Sequence, residues 1–323
     1  MRCVSQVLMI AVLLLQSGWG FYAHRQINQM AIFTLPPPLN GFYKTHITYI
    51  TEASVQADRR RFVVVEEGPR HYIDIDHFGD SAVYTMPRNW EDAVRLYGED
   101  TLKAYGILPW HIPVVYYRLR DAFFIRDTEA ILRLSADLGH YIADAHVPLH
   151  TTKNYNGQYT GQEGIHAFWE SRVPELHASQ YNYWVGRATY EPDVRQRVWN
   201  AIIRSHEAVD TVLAVEKELS EKFGGEKFSF ETRGKQTVRV YSVPYTRAYH
   251  QALRGMVERQ MRAAIKMIGD FWYSAWVDAG QPDVEMLLQN KPDPRLLELR
   301  REEPEERNRT PVPARAHEGK DMW

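Results

Sequence analysis

The stretch LGHYIADAHVPLH, Leu138 to His150, constrains this chain more than any other, read together with GIHAFWES from Gly164 to Ser171. It places His140 and Asp144 four residues apart, then His150, then His166 and Glu170 four apart again. Positions i and i+4 share one face of a helix, one turn apart. Two such pairs and a further imidazole ask for helices that turn these faces toward each other, because zinc takes imidazole nitrogen and carboxylate oxygen as ligands. One pair alone carries little weight. A mixed His/Asp/Glu set at ligand spacing within one short stretch carries much more.

The remainder of the chain reads as helical. Ala23 to Leu35 has helical spacing and stops at Pro36-Pro37-Pro38. Phe42 to Val55 continues in the same way, and Trp90 to Tyr105 is amphipathic, with Trp90, Ala93, Val94 and Tyr97 on one face. Val114 to Arg126, Asp127 to Ala145, Pro192 to Leu219 and Ser242 to Asp278 complete the set, and Asn154 to Gly164 is a loop. No set of alternating strands and no internal repeat stands out. The expected fold is all-α, a single compact multi-helix domain. With 323 residues and 44% hydrophobic content the chain can bury a substantial core. Nine Trp, nineteen Tyr and twelve Phe suit such a core, and equally a cleft that stacks a base or covers an acyl chain. A net charge of -2 implies no strong overall field toward nucleic acid or acidic membrane.

Both ends read differently from the middle. Arg2, the apolar run Val7 to Leu15 and the small residues Ser17-Gly18 form a secretory leader over residues 1–18, and the run is too short to span a bilayer. The expected location is secreted or periplasmic. Cys3, the only cysteine, lies inside the leader, so the mature chain carries no disulfide. The helical domain is expected over 19–280. Residues 281–323, rich in Glu, Arg and Pro from Arg300 to Arg315, read as a polar, flexible tail.

Further ligand-type residues precede the central motif: His24, Asp58 and His71, the last within RHYIDIDHFG. The ordered series Trp-Gly-x-x-x-His from Trp19, Ala-Asp at Asp58, His-Tyr-Ile-Asp at His71, His-x-x-x-Asp-x-x-x-x-x-His from His140 to His150, and His-x-x-x-Glu from His166 resembles the superfamily of zinc-dependent phospholipases C and single-strand-specific zinc nucleases. The likeness runs from Trp19 to Glu170. It implies an all-helical domain with three zinc ions at the floor of a cleft. One ion would be held by Asp58, His71, His140 and Asp144, and a second by His150, His166 and Glu170. The third would take the α-amino nitrogen and carbonyl oxygen of Trp19 with His24, and Asp144 would bridge it to the first. Trp19 serves only if the leader is cut after Gly18, whereas cutting after Gly20 would remove it.

The chain departs from each branch of this pattern in places. Ala23 stands where the nucleases usually have glycine, and Asn156-Gly157 is a loose counterpart of their Gly-Gly-Asn run. Glu170 and the short gap from His150 to His166 resemble the phospholipases, while the short gap from Trp19 to His24 resembles the nucleases. The expected activity is zinc-dependent phosphodiester hydrolysis, phospholipase C-like, by zinc-activated hydroxide, with Asp58 and Asp144 catalytic. Paired divalent ions about 3.5–4 Å apart clamp phosphoryl oxygens and bring the pKa of bound water to about 7. A single-strand-specific endonuclease is the alternative, and a non-catalytic zinc-binding helical domain a second one. The substrate would be a phospholipid headgroup or single-stranded nucleic acid, with Tyr155, Asn156 and Tyr159 lining its path. Asp74, Asp76, His77 and His146 are candidates for orienting the ligands. His111 and His177 read as structural.

Overall fold

Prolines and glycines punctuate a chain whose apolar residues otherwise recur at helical spacing, and several breaks between helices fall on them, at Pro36, Gly98, Gly106 and Gly255. The computed structural model describes residues 21–288. The expected leader, the ligand at Trp19 and the tail from residue 289 onward lie outside the described residues. Helix α1 (Tyr22–Ala31) tightens into a 3-10 turn at Ile32–Thr34, and Leu35 is extended, as a residue before proline should be. Pro37 and Pro38 then open α2 (Pro37–Thr45), where their missing N–H groups cost no hydrogen bond. The proline run that ends one helix therefore starts the next.

Short helices α3 (Ile47–Ala53) and α4 (Gln56–Arg60) follow, then α5 (Trp90–Tyr97) and α6 (Glu99–Tyr105). The single amphipathic run expected over Trp90 to Tyr105 is thus two helices, broken where Gly98 takes a φ of 79°. Two long helices come next, α7 (Leu108–Ile125) and α8 (Thr128–Asp144), and Asp127 caps α8 by accepting from the Ala130 N–H at 3.0 Å. The C-terminal half holds α9 (Val194–Glu207), α10 (Val209–Phe223), α11 (Val243–Ala252) and α12 (Met256–Asp278).

Helix α8 is the axis of the molecule. All its residues except Glu129 and Arg133 are buried, and α7, α12, α3 and α1 pack around it. Tyr43 and Trp272 stack at 4.7 Å and both bond to Ser135 of α8: the Tyr43 hydroxyl at 2.7 Å to its Oγ, the Trp272 Nε1–H at 3.1 Å to its carbonyl. Two helices far apart in sequence are thereby fixed to one residue of the axis. Among the described residues, no helix is long and apolar enough to cross a membrane.

The long helices expected over Pro192 to Leu219 and Ser242 to Asp278 are likewise each two helices, and two further features differ from expectation. An antiparallel hairpin, β1 (Phe228–Arg233) and β2 (Gln236–Tyr241), pairs Phe228 with Tyr241 and turns through Gly234 at φ 61°. Each strand is only 6 residues long, so its alternation is easily lost between two helical segments. The second concerns the boundary at Gly280. A further helix, α13 (Val284–Leu288), buries Leu287, whose carbonyl accepts from the Thr128 hydroxyl at the start of α8. The packed body therefore continues through Leu288.

The approach of α1 to α8 depends on one missing side chain. A Cβ at Gly139 would sit 1.9 Å from the Asn28 Oδ1 of α1. That close approach lets the His24 ring of α1 stack on His140 of α8 at 4.2 Å. Gly139→Ala should lower stability by about 1–3 kcal/mol through overpacking, despite the better helix propensity of alanine, as read by urea unfolding. Equal or greater stability would contradict this packing.

Candidate metal centre

Six segments deliver the ligand-type side chains. His24 comes from α1 and Asp58 from α4. His71 ends the 3-10 turn Val65–His71, and His140 and Asp144 lie one turn apart at the end of α8. His150 sits in the turn Pro148–Thr151, directly after α8. His166 and Glu170 come from a short helical stretch, Ile165–Ala167, that widens into a π-helical turn at Phe168–Arg172. All eight expected ligands among the described residues converge. Their atoms form overlapping groups, each within 4.8 Å: His71, His140 and Asp144; His24, Asp58 and His140; His24, Asp144 and Glu170; His150, His166 and Glu170.

Two carboxylates tie these groups together. Asp144 Oδ2 lies 3.0 Å from His71 Nδ1 and 3.3 Å from His140 Nε2, while its Oδ1 lies 3.5 Å from His24 Nε2. Glu170 Oε2 lies 3.0 Å from His166 Nε2 and 3.3 Å from His150 Nε2, and its Oε1 meets His24 Nε2 at 3.0 Å. The sequence pattern joins Glu170 to His150 and His166 alone; in the fold its second oxygen also reaches the His24 group. Asp58 stands at the outer edge, its side chain 16% exposed and Oδ1 3.8 Å from both His71 Nδ1 and His140 Nε2.

Backbone carbonyls decide which nitrogen of two rings faces inward. His140 Nδ1 donates to the Ser54 carbonyl at 2.8 Å, and His150 Nδ1 donates to the His71 carbonyl at 2.6 Å. A carbonyl can only accept, so each Nδ1 carries the proton, and the Nε2 of a neutral ring presents a lone pair. The lone pair of His150 points at Glu170 Oε2 at 3.3 Å, and that of His140 meets His71 Nδ1 at 3.0 Å and Asp144 Oδ2 at 3.3 Å. Acceptor against acceptor is repulsive in a buried site unless a proton or a cation lies between them. The donor set therefore fits a divalent cation such as zinc: imidazole nitrogens oriented by second hydrogen bonds, with carboxylates alongside.

His71 is turned the other way, with Nδ1 inward and Nε2 3.6 Å from the Glu67 Oε1. Glu67 belongs to this cluster and is missed by sequence reading. It is buried, accepts from the Tyr141 hydroxyl, and is paired with Arg70 at 3.0 Å and Arg60 at 3.3 Å. A buried carboxylate behind a ligating imidazole orients the ring and makes it a better donor. Its signal was available, since Glu67 precedes His71 by the same four residues that relate the other pairs.

The other candidates divide. Asp76 accepts from the Thr152 hydroxyl at 2.8 Å and the Lys153 N–H at 2.9 Å, pinning the chain that leaves His150. His146 donates from Nδ1 to the Ile142 carbonyl at 2.7 Å and lines a small cavity behind His24 and Glu170. Asp74 is buried and fixed through its N–H to the Tyr105 carbonyl at 2.7 Å, and His77 stacks on Tyr105 away from the ligands. His111 packs edge-on against Tyr141, and His177 stacks on His250 at 4.2 Å. Of the expected substrate-binding residues, Tyr155 adjoins the centre, its ring 6.3 Å from His166. Asn156 is buried, and its Oδ1 accepts from the Gly164 N–H at 2.8 Å, so it shapes the loop. Tyr159 is 69% exposed.

The hairpin buttresses this side of the centre. Tyr241 stacks on Phe168 at 4.0 Å, and its carbonyl accepts from Arg172 Nε at 3.1 Å, clamping both ends of the π-helical turn that carries Glu170. No family model, curated protein or solved structure matches this chain.

Protons and metal compete for these ligands. Burial disfavours a charged ring at His24, but the Glu170 hydrogen bond and the charges of Asp144, Glu170 and Asp58 override it and raise the group to about 9. His71 is likewise opposed by burial and raised to about 9 by its bonds to Asp144 and Glu67. Burial pushes Asp144 and Glu170 upward, yet the surrounding imidazoles hold both well below the carboxylate range. In the metal-free protein the two raised histidines contribute stability that is complete below their unfolded value of about 6.5. That contribution is lost as pH rises through about 9. The chelated protein should therefore melt at lower temperature at pH 9 than at pH 6.5, and saturating zinc should reverse the trend, because metal takes the neutral ring and releases its proton. A melting temperature with chelator that stays level or rises over this range would contradict the charge arrangement.

Proposed function

We propose that this chain is a secreted zinc-dependent phosphodiester hydrolase of phospholipase C-like type. The observation that supports the reading is the sharing of Asp144 and Glu170, each presenting one oxygen to one histidine group and the second oxygen to the next. A structural zinc site is closed by four ligands of its own. Linked groups with common carboxylates suit adjacent cations, and adjacent cations suit a phosphodiester. When bound, such ions bring water to a pKa of about 7 and offset the charge of the phosphoryl oxygens.

The chain's own groups have separate tasks in this reading. His71, His140, Asp144 and Asp58 would hold one ion, His150, His166 and Glu170 another, and His24 with Asp144 and Trp19 a third. Asp58 Oδ1, at the open edge, would accept a proton from the attacking water and aim it. The neighbouring His140 and the Arg61 guanidinium at 3.6 Å hold that carboxyl below its ordinary range against the effect of burial. Glu67 and the Ser54 and His71 carbonyls hold three of the imidazoles in place.

A nuclease is the second reading, and Tyr155 beside His166 is the observation that favours it, since an aromatic face next to the metals can stack a base. The zinc-loaded protein should release the headgroup of phosphatidylcholine, and Asp144→Asn should cut that activity by at least about a hundredfold and lower zinc content while leaving helical circular dichroism intact. Cleavage of single-stranded DNA without lipid hydrolysis would move the assignment to the nuclease. Zinc bound with neither activity would leave a structural domain.

A further inference from the structure

The turn that follows Asp58 is apolar and exposed. Phe62, Val63 and Val65 are 65%, 82% and 47% exposed, and Val64 between them is half-buried. Soluble surfaces carry single exposed apolar residues without consequence, but a consecutive run of them projecting into water marks a contact site. The run is also held firmly. The N–H groups of Val63 and Val64 both donate to the Arg60 carbonyl, at 2.9 and 2.8 Å, and Phe62 N–H reaches the Arg59 carbonyl at 3.4 Å. Phe62 thus stands one helical turn beyond Asp58, at the open edge of the metal centre.

Cations accompany the apolar tip. The Arg61 guanidinium lies 5.8 Å from the Phe62 ring centre but is paired inward with Asp58 at 3.6 Å, whereas the exposed Arg59, 5.6 Å from the Phe21 ring centre, faces water. Arg59 has no carboxylate partner among the described residues, while Glu66 is the one exposed acid next to the tip. An apolar wedge rimmed by arginine is complementary to a bilayer surface, with side chains entering the acyl boundary and guanidinium groups meeting phosphate. The near-neutral net charge of the chain hides this local arrangement.

We infer that the Phe62–Val65 turn docks this protein on a lipid bilayer containing anionic headgroups, with the metal centre facing the membrane surface. Its bearing on substrate access rests on the phospholipase C-like reading, but docking itself does not, so binding and hydrolysis are measured separately. The full-length protein is sedimented with vesicles of phosphatidylcholine, with and without added phosphatidylglycerol. Sedimentation should be stronger with phosphatidylglycerol and weaken with salt. Phe62→Ser with Val63→Ser should reduce vesicle binding by at least roughly tenfold at unchanged zinc content and circular dichroism. Arg59→Gln should weaken binding to the anionic vesicles by roughly fivefold. Absence of wild-type sedimentation, or a double variant that binds as wild type does, would overturn the inference. So would self-association that the double variant abolishes while neither protein binds vesicles. Vesicle binding without lipid hydrolysis would leave docking standing and remove the enzymatic reading.

Discussion

The Asp144 carboxylate is the constraint around which this molecule is arranged. Its side chain is 1% exposed and lies within 4 Å of imidazole nitrogens from His24, His71, His140 and His150. A charge so far from water persists only where opposite charge or metal surrounds it. The surroundings come from α1, from the turn ending at His71, from α8 itself and from the turn after it. Each of these segments must therefore be placed to within hydrogen-bond tolerance. The tight seat of α1 on Gly139, the Ser54 carbonyl behind His140 and the Glu67 carboxylate behind His71 are the means of placing them.

Glu170 extends the same logic to the second half of the centre. It stands in a π-helical turn, and such turns trade backbone hydrogen-bond geometry for a displaced side chain, often at functional sites. Here the displaced carboxylate spans His24 on one side and His150 with His166 on the other. The β hairpin, which contributes no ligand, holds this turn through Tyr241 against Phe168 and Arg172. Arg172 is itself paired with Glu231 of β1, so the hairpin and the metal centre share one continuous network.

Much of this arrangement was legible in the sequence because candidate metal ligands are written in side chains at fixed spacing. His140 with Asp144, and His166 with Glu170, are pairs whose helical meaning does not depend on the rest of the fold, and the all-α class follows from long helical periodicity. What escaped was of three kinds. Carbonyl partners such as Ser54 and His71 leave no mark in residue type. The placement of Asn156, whose Oδ1 accepts within its own loop, and of Tyr159, which is exposed, is set by tertiary structure and not by residue type. The hairpin and α13 are short elements stabilised by what they pack on, Phe168 and Thr128, rather than by local pattern.

The central claim is that these shared carboxylates hold several zinc ions together, and elemental analysis of the protein expressed from its full sequence, with N-terminal sequencing of the same sample, tests it most directly. The account predicts about three zinc ions per chain with Trp19 as the first residue. One zinc or none, with Trp19 removed, would contradict it.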